Sequence, residues 1–380
     1  MKILHVITAF DRGGAENHLV DLVTHQRAAG WSVTLAYLRG HGYWVEPMRK
    51  LGVIVHFLAL RFYGDPRPFG KLRALLAESD FDLIHAHLPP AELYVRVALA
   101  SLGDSAVPLI ISKHNDCPFH GLPGERAMGR WVARRAALVI AISASVHRYM
   151  VGPTLGLPAS QVQTILYGIA TAAYPLVAPE AVTALRREWG ATESTLVIGF
   201  AGRFVEQKDL PTLIRAFALF CEISGCAARL VLVGRGELVE PMRRLAAEVG
   251  VGDRVVFPGF REDVPVVMRA FDVFAITSVH EGFGLVLVEA MAAERPVVAT
   301  RAGAMPEIVV DGATGFLADG VEPFAQALAR LTDPAVRQRF GVAGRRRVDE
   351  HFAVARMCAE TDAASARVLQ RVKPTPRRAG

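Results

Sequence analysis

Cysteine is scarce in this sequence, and no uninterrupted hydrophobic run is long. The four cysteines are Cys117, Cys221, Cys226 and Cys358. They are too few for a disulfide scaffold in a chain of 380 residues, and they lack the close paired spacing of a zinc site. The apolar runs, such as residues 136–142, end far short of a membrane-spanning length. These absences exclude a small disulfide-stabilised fold, predict no transmembrane helix and favour a reducing cytoplasm.

An excess of acidic residues is also absent, because 43 Lys and Arg stand against 37 Asp and Glu, a formal net charge of +6. Net charge bears on attraction to nucleic acid, phosphorylated ligands or anionic membranes, and not on the fold. Hydrophobic residues are abundant, at 52% against 21% charged, which excludes general disorder. A chain of 380 residues exceeds the size of one ordinary hydrophobic core, so we expect two domains.

Short apolar, β-branched runs alternate with longer helical patterns throughout the chain. Parallel sheets covered by helices on both faces produce this rhythm. In the first half the predicted strands are Lys2–Thr8, Ser32–Tyr37, Ile54–Leu58, Leu83–Ala86, Leu109–Lys113 and Leu138–Ala141. After residue 190 the predicted strands are Leu196–Ala201, Arg229–Val233, Arg254–Phe257, Val273–Thr277 and Val297–Thr300. The sequence therefore predicts an α/β protein made of two doubly wound domains.

Glycine and proline are dense between residues 151 and 188, which indicates a connection between domains. The C-terminal region is helical in pattern, with breaks at Asp333-Pro334 and near Phe352. The predicted divisions are an N-terminal domain over 1–170, a linker over 171–190, a C-terminal domain over 191–350, a helix over 351–370 that returns toward the N-terminal domain, and a basic tail over 371–380.

The segment 273–295 combines a strand-like run, a loop with two glycines and an apolar helix. Such a junction binds anions, because the unpaired N–H groups and the dipole of the helix both face the loop. Glu281 falls in the loop, and Glu289 falls in the helix, where an ionised carboxylate is costly unless a partner compensates it. A hydroxyl-rich ligand would suit both acids. The alternative is a solvated Glu281 and a Glu289 paired with an arginine of the same domain.

These two glutamates, separated by seven residues, resemble the signature of glycosyltransferase family 4, a group of retaining enzymes with the GT-B fold. The resemblance continues in Gly199-Phe-Ala-Gly-Arg203-Phe-Val-Glu-Gln-Lys208, in Val233-Gly-Arg-Gly-Glu237 and in residues 297–316. It implies two Rossmann-like domains that face each other across a cleft. This sequence departs from the family at Leu166-Tyr167-Gly168, where Asn-Gly is common, and at Ala304, where a second glycine is common.

The resemblance also implies roles for individual residues. Arg203 and Lys208 would hold the donor diphosphate, Glu281 would contact the transferred sugar, and Glu289 would hold the ribose. The implied donor-binding residues are Gly13, Gly14, Arg203, Lys208, Glu281, Gly282, Phe283, Gly284, Leu285 and Glu289. Fixed cations stabilise a diphosphate as it gains charge on leaving. Without the glutamates, the two cations would fit an ordinary charged surface equally well.

In the first half, Gly13 and Gly14 follow the first strand and resemble the family's N-terminal glycine loop; the alternative is a tight turn without a ligand. Histidines end two predicted strands, at His87 and at His114-Asn115. Ligands of open α/β sheets lie beyond the carboxyl ends of strands, so these are candidates for the acceptor side. His114 also matches a family histidine near the reacting sugar, and we prefer it to His87. The alternative for both is a structural hydrogen bond.

Asp80-Phe-Asp82 mimics the Asp-X-Asp metal motif of the other large glycosyltransferase fold, but here it only precedes a strand. We therefore predict no metal ligands and no cofactor, with activity that persists in EDTA. The catalytic candidates are Glu281, His114, Arg203 and Lys208.

The resemblance implies transfer of a hexose or related sugar from a nucleotide-sugar, UDP-linked in preference to GDP-linked, to an acceptor hydroxyl with retention. Cell-surface polysaccharide or glycolipid synthesis would use such a reaction, and nucleic acid would not be a partner. One alternative is a UDP-sugar isomerase with the same fold. Another is a non-catalytic nucleotide-sugar-binding or NAD-binding protein, although Gly234-Arg-Gly236 lacks the third glycine of an NAD fingerprint.

Arginines recur at helical spacing in the segment 126–135, beside an apolar edge that contains Trp131. An ordinary surface helix is the favoured interpretation, and peripheral contact with an anionic membrane is the alternative. A lipid-linked acceptor at the inner face of the cytoplasmic membrane would suit the second interpretation.

Overall fold

The structure is a computed structural model that describes residues 1–103, 107–115 and 124–371. These residues form two compact units. The first comprises Met1–Gly168 with the C-terminal residues from Val354, and the second is Ile169–Ala353. Cys117 and residues 372–380 of the predicted basic tail lie outside the described part of the chain.

The first unit is built on a seven-stranded parallel sheet in the order β3-β2-β1-β4-β5-β6-β7. The strands are β1 (Lys2–Ala9), β2 (Ser32–Arg39), β3 (Ile54–Phe57), β4 (Leu83–His87), β5 (Leu109–Lys113), β6 (Leu138–Ala141) and β7 (Val162–Thr164). The central strands β1, β4 and β5 are buried almost throughout, as expected for a sheet covered on both faces. The order reverses between β1 and β4, which makes their carboxyl ends the switch point of this sheet.

Helices connect these strands as parallel crossovers. They are α1 (Gly14–Ala28), α2 (Val45–Lys50), α3 (Pro66–Glu78), α4 (Pro89–Ser101), α5 (Glu125–Arg134) and α6 (Ala144–Val151). The side chains of Asp65 and Ser143 accept N–H groups at the first turns of α3 and α6, which satisfies donors that a helix start leaves free.

The second unit repeats this plan with a six-stranded parallel sheet in the order β10-β9-β8-β11-β12-β13. The strands are β8 (Leu196–Arg203), β9 (Ala228–Arg235), β10 (Val255–Gly259), β11 (Val273–Ile276), β12 (Val297–Ala299) and β13 (Gly315–Leu317). The helices are α7 (Pro179–Glu188), α8 (Leu210–Ser224), α9 (Val239–Glu248), α10 (Val264–Ala270), α11 (Leu285–Ala292), α12 (Met305–Ile308), α13 (Val321–Arg330) and α14 (Pro334–His351). The switch point lies at the carboxyl ends of β8 and β11.

The last helix, α15 (Val354–Arg371), belongs to the first unit and packs against α1. It follows α14 after Phe352 and Ala353, close to the break that the sequence indicates. Gln26 of α1 donates a hydrogen bond to Asp362 of α15 at 3.1 Å, which fixes the two helices in register.

The segment 171–190, expected to be a linker, is part of the second unit. It contains α7, which packs against α10, and Arg186 donates hydrogen bonds to the Ala270 carbonyl and the Asp272 carboxylate, each at 3.0 Å. Trp189 is buried and stacks on Phe271 with ring centroids 5.5 Å apart. The second unit therefore begins at Ile169 and not at residue 191. Prolines mark the beginning of the segment 171–190, but its second half is amphipathic and joins the core of the second unit.

The sequence pattern does not predict two of the strands, β7 and β13. Each has three residues and lies at an edge of its sheet, so its hydrophobic pattern is too short to stand out from a loop. Within the described ranges, no helix has both the length and the hydrophobicity needed to cross a bilayer.

Candidate functional site

The second unit gathers charged side chains at its switch point. The loop after β8 carries Lys208, and the loop after β11 carries Glu281. Hydrogen bonds hold these two loops together: Val279 N–H donates to the Gln207 carbonyl at 3.0 Å, and the Gln207 side chain donates to the His280 carbonyl at 2.8 Å. The sheet order therefore brings together two loops that lie far apart in the sequence.

Glu281 is buried and does not face solvent, in contrast to the solvated alternative. Lys208 Nζ forms an ion pair with Glu281 Oε1, and the Ser278 hydroxyl donates to the same oxygen at 3.1 Å. A carboxylate taken out of water needs such partners. One oxygen of Glu281 is thus occupied by protein groups, and the expected phosphate ligand Lys208 is paired with the expected sugar ligand.

The backbone of Glu281 rests on the turn after β12. Gly303 has a φ of +56°, and a Cβ atom at this position would lie 2.0 Å from the Glu281 carbonyl oxygen. The N–H of Ala304 donates to that carbonyl at 2.9 Å. Gly303 is therefore required both by its backbone conformation and by space, whereas Ala304 is fully buried and needs no glycine here.

The helix α11 begins directly after this loop, with Gly284 at its N-cap and a φ of +97°. Gly282, Phe283 and Gly284 are buried, and the Phe283 ring packs edge-on against Phe352 at 5.8 Å. Leu285 is the first helical residue and is half-buried. The first-turn N–H groups and the positive end of the helix dipole therefore adjoin the Glu281 loop, an arrangement that binds anions.

Glu289 lies in the second turn of α11 and is partly buried. No hydrogen bond or ion pair joins its carboxylate to another described residue, so an internal arginine partner is not found there. Burial raises the pKa of Glu289 to about 7, and burial, followed by the negative charge of Glu289, raises the pKa of Tyr174. A partly buried acid without a protein partner is suited to a ligand that donates hydrogen bonds.

The side chain of Arg203, the last residue of β8, is exposed and has no hydrogen-bond or ion-pair partner among the described residues. The β8 end is closely packed beside it, because a Cβ on Gly234 of the neighbouring strand would lie 1.8 Å from the Gly202 carbonyl oxygen. An arginine at the switch point with its donors free is suited to an anionic ligand.

In the first unit, the expected glycine loop follows β1. Gly13 is the N-cap of α1, and Gly14 is its first residue. Gly13 has an extended backbone, and a Cβ there would lie 2.3 Å from Oε2 of Glu16. Gly13 thus lies against the side chain of Glu16 in the first turn of α1, a contact that the sequence pattern alone does not reveal.

Five histidines cluster on β1, β4 and α1 and just after β5. They are His5, His18, His85, His87 and His114. His87 Nδ1 lies 3.2 Å from His114 Nε2, and His87 Nε2 lies 3.2 Å from His5 Nδ1. His5 Nε2 lies 2.9 Å from Gln26 Oε1. The hydroxyl of Tyr167 is hydrogen-bonded to His114 Nδ1.

These imidazoles are neutral at physiological pH. Burial lowers the pKa of His5 to about 4 and that of His18 to about 3. Burial, reinforced by neighbouring histidines, also lowers the pKa of His87 well below its usual value. The pKa of His114 is lowered in the same way, by burial, by His18 and by Lys113.

The expected acceptor-side residues differ in their access to solvent. His114 and Asn115 are half-buried, whereas His87 is completely buried with both ring nitrogens engaged inside the unit. His87 therefore supports His114 and does not meet a ligand itself. Sequence reasoning misses Tyr167, Ser278 and Tyr174; among these only Tyr167, at a departure from the family pattern, carries a signal.

Ring nitrogens of His5, His85 and His87 lie within 4.8 Å of one another, close enough to hold a metal ion. The sequence does not indicate this group, because His5 lies on β1 whereas His85 and His87 lie on β4, far away in the sequence. Asp82 of the Asp-X-Asp sequence lies at the opposite edge of the sheet, where it accepts the N–H of Lys2 at 2.7 Å. That sequence thus pairs with the amino end of β1.

Solved structures define the class of protein to which this architecture belongs. A crystal structure of Anabaena HepE in complex with UDP and glucose superposes with a TM-score of 0.83 at 25% identity, covering 97% of this chain and 100% of that one. A structure of WaaG, a glycosyltransferase involved in lipopolysaccharide biosynthesis, has a TM-score of 0.74 at 16% identity, covering 96% and 99%. The fold is that of the GT-B glycosyltransferases.

Family models identify the group within this class. Residues 12–173 match the model described as Glycosyltransferase Family 4, and residues 182–347 match the model described as Glycosyl transferases group 1. The chain belongs to this family of glycosyltransferases.

Among curated proteins, the chain is 28% identical to alpha-maltose-1-phosphate synthase of Mycobacterium tuberculosis, with 92% of this chain and 94% of that protein covered. It is 27% identical to N-acetyl-alpha-D-glucosaminyl L-malate synthase of Bacillus anthracis, with 74% of each covered. These relatives bear the names of different reactions, so similarity at this level does not select one substrate.

Proposed function

We propose that this glycosyltransferase moves a sugar from a nucleotide-sugar, UDP-linked in preference to GDP-linked, to an acceptor hydroxyl with retention at the anomeric carbon. The observation that carries the proposal is the arrangement around α11. A buried, lysine-paired Glu281 precedes the helix N-terminus, and Glu289, which has no partner among the described residues, lies in its second turn. Synthesis of a cell-surface polysaccharide or glycolipid is the proposed setting.

The UDP preference is supported by a structure of Anabaena HepE with UDP-glucose, 27% identical to this chain with a TM-score of 0.82. The ribose of such a donor offers two vicinal hydroxyls, and an ionised Glu289 accepts hydrogen bonds from both. Since Glu289 has no partner among the described residues, this contact replaces water and not an existing bond.

The diphosphate of the donor would interact with Arg203 and the N-terminus of α11. As the glycosidic bond breaks, negative charge builds on the leaving phosphate, so these fixed positive groups stabilise the transition state more than the ground state. Lys208 would lie between this phosphate and Glu281, and it carries a single positive charge that both can share.

Retention follows from attack of the acceptor hydroxyl on the same face from which the phosphate departs. The acceptor oxygen bonds to the anomeric carbon, the bond to the phosphate oxygen breaks, and the acceptor proton passes to that phosphate. His114 is unsuited to the role of base, because its pKa is lowered and both its nitrogens are engaged. Glu281 then orients the sugar and does not attack it, and His114 would face the sugar with its ring and not with a free nitrogen.

A thermal-shift screen of nucleotides and nucleotide-sugars tests the donor. A ligand that binds only the folded state at 100 times its Kd adds about 2.7 kcal/mol of stability, which raises the Tm by a few degrees. We expect shifts with UDP and UDP-sugars and smaller ones with GDP. A shift with NAD and none with any nucleotide diphosphate would contradict the proposal.

An isomerase of the same fold is the main alternative, and incubation with the donor alone separates the two activities. An isomerase converts the nucleotide-sugar without an acceptor, whereas the transferase proposed here leaves its sugar configuration unchanged. Appearance of an epimeric UDP-sugar in the NMR spectrum would favour the isomerase.

A lipid-linked acceptor is supported by α5, where Arg126 and Arg134 are exposed and Trp131 is 43% exposed beneath the guanidinium of Arg96. Exposed arginines beside a tryptophan suit an anionic membrane surface. We expect the protein to sediment with anionic vesicles at low salt, and Arg126→Glu with Arg134→Glu to abolish this. Failure of the wild type to sediment would reject the membrane contact and leave the donor chemistry untouched.

A further inference from the structure

A continuous line of buried and partly buried hydrogen bonds runs through the first unit from Tyr167 to the C-terminal helix. We call it the histidine chain; its members are Tyr167, His114, His87, His5, Gln26 and Asp362. Gln26 and the imidazoles of His5 and His87 are completely buried. Each ring uses both of its nitrogens within the chain, so no ring can change its protonated nitrogen alone.

The direction of the histidine chain can be read from its end on α15. Asp362, when ionised, only accepts hydrogen bonds, so the Gln26 amide must present its NH₂ group to Asp362 Oδ1 at 3.1 Å. The amide oxygen then faces His5 at 2.9 Å and accepts a hydrogen bond from Nε2–H. His5 therefore carries its hydrogen on Nε2 and presents an unprotonated Nδ1.

The tautomer of His5 determines the tautomers of His87 and His114. His5 Nδ1 is an acceptor, so His87 must donate to it from Nε2 across 3.2 Å. His87 Nδ1 is then an acceptor for His114 Nε2, again at 3.2 Å. His114 Nδ1 remains as the acceptor for the hydroxyl of Tyr167. All three rings are the neutral Nε2–H tautomer.

We infer that Asp362 and Gln26 are positioning residues that set the tautomer and orientation of His114 through His5 and His87. The reversed chain would turn the amide oxygen of Gln26 toward the carboxylate of Asp362, which places two acceptors against each other. His25, whose Nε2 lies 3.4 Å from the second oxygen of Asp362, holds the carboxylate from its outer side. The state of the His114 ring is thus determined by a carboxylate on α15.

The Gln26 amide also defines what the chain does not do. A carboxamide does not readily pass a proton from its oxygen to its nitrogen. The histidine chain therefore orients its hydrogen atoms and does not conduct protons. This agrees with the proposed mechanism, in which the leaving phosphate takes the acceptor proton. The tautomer assignment stands without the proposed function, whereas its effect on turnover rests on that function.

The direct test is long-range ¹H–¹⁵N correlation NMR on protein with ¹⁵N-labelled histidine. We expect a protonated-type Nε2 and an unprotonated-type Nδ1 for His5, His87 and His114. An Nδ1–H tautomer at any of the three would overturn the inference. So would one equivalent of a bound transition metal, because a cation between His5 Nδ1 and His87 Nε2 requires both atoms to lack a proton.

Exchanging the carboxylate of Asp362 and the amide of Gln26 between the two positions supplies the mutational test. Asp362→Asn removes the acceptor-only group, so we expect mixed tautomers in the three rings and a turnover about ten-fold lower. Adding Gln26→Glu to that variant restores a carboxylate that accepts from His5 and from the new amide on α15, and we expect the Nε2–H tautomers and most of the turnover to return. Glu360→Gln removes one charge from the same helix outside the chain and serves as the control.

The outcomes separate cleanly. Unchanged tautomers in Asp362→Asn would overturn the role of Asp362. Restored stability of the double variant, measured by thermal melting, without restored tautomers would show a merely structural contact. If the tautomers change as predicted while turnover does not, the hydrogen-bond direction of the histidine chain is confirmed and its effect on the proposed reaction is rejected.

Discussion

Glu289 is held in an environment that opposes its ionisation. Its pKa of about 7 lies above the ordinary value of 4.5 because of burial. A carboxyl group whose pKa is raised by folding favours the folded state below the unfolded value and loses that contribution as pH rises through the folded value. The folded protein should therefore lose stability from this group between about pH 4.5 and pH 7, a loss of order 3 kcal/mol.

Glu289→Gln should accordingly raise the Tm at pH 8, where the wild-type carboxylate is ionised, and the gain should shrink toward pH 5. Thermal melts of the free enzyme across this range check the prediction. Glu222→Gln, an exposed glutamate on α8, is the matched control and should change little at any pH. A stabilisation that is independent of pH would show that desolvation of the charge is not the cause.

Arg203 is predicted to act on the diphosphate and not on the fold. Because it is exposed and has no partner among the described residues, Arg203→Ala should leave the Tm nearly unchanged. It should lower kcat by roughly 100-fold, as removal of one transition-state contact of about 3 kcal/mol does. Steady-state kinetics with a UDP-sugar measures this, with the exposed Arg215→Ala on α8 as control. Equal activity of the two variants would contradict the assignment.

At this scale the sequence suggests candidate residues for the site but not the contacts that they make. Glu281, Glu289, Arg203 and Lys208 follow from the family resemblance, and the structure brings Lys208 onto Glu281. The family resemblance does not predict the five-histidine cluster, because in the sequence His5 is only a single polar residue in a buried strand. Which strands adjoin, and hence which side chains meet, depends on the order of the sheet.

At the scale of elements, the hydrophobic pattern of the sequence is sufficient to predict the long buried strands. β5 and β6 occur at the predicted bounds, and β1, β2 and β8 extend only slightly beyond them. The three-residue edge strands escape prediction because two or three apolar residues carry no period. The prolines around α7 lead us to predict a linker, because the apolar stripe of this helix is short. Leu185 of that stripe is nevertheless buried in the second unit.

The turn that supports the Glu281 loop offers a test of one element on another. Gly303→Ala should lower the Tm and the activity together, since a left-handed residue costs about 1–2 kcal/mol and the added methyl group meets the Glu281 carbonyl at 2.0 Å. Gly312→Ala, also left-handed at φ +74° but with open space around it, is the control. If both variants have the same Tm and the same activity, the contact between position 303 and the Glu281 carbonyl does not matter for function.

At the scale of the whole chain, composition and alternating elements correctly predict two parallel α/β domains, and the family models and GT-B neighbours agree. The exact division is beyond the sequence. Residues from 354 join the first unit because Asp362 and Met357 contact α1, and contacts between such distant parts of the chain leave no local pattern.

Metal independence is a prediction for the complete enzyme. Glycosyl transfer should persist in EDTA, because the proposed site neutralises the diphosphate with Arg203, Lys208 and a helix end. Turnover assays with and without chelator, followed by addition of Mg²⁺ or Mn²⁺, decide the point. Turnover that disappears in EDTA and returns with either ion would show that a cation is required.

We infer that the α11 segment holds the nucleotide of the donor and that its two acids, Glu281 and Glu289, have separate functions. Calorimetric titration of UDP into wild type, Glu289→Ala and Glu281→Ala tests it most directly. We expect Glu289→Ala to weaken UDP binding about ten-fold or more, because the charged hydrogen bonds to the ribose are lost. We expect Glu281→Ala to bind UDP nearly as the wild type does and to fail in transfer. An unchanged UDP affinity in a folded Glu289→Ala variant would contradict it.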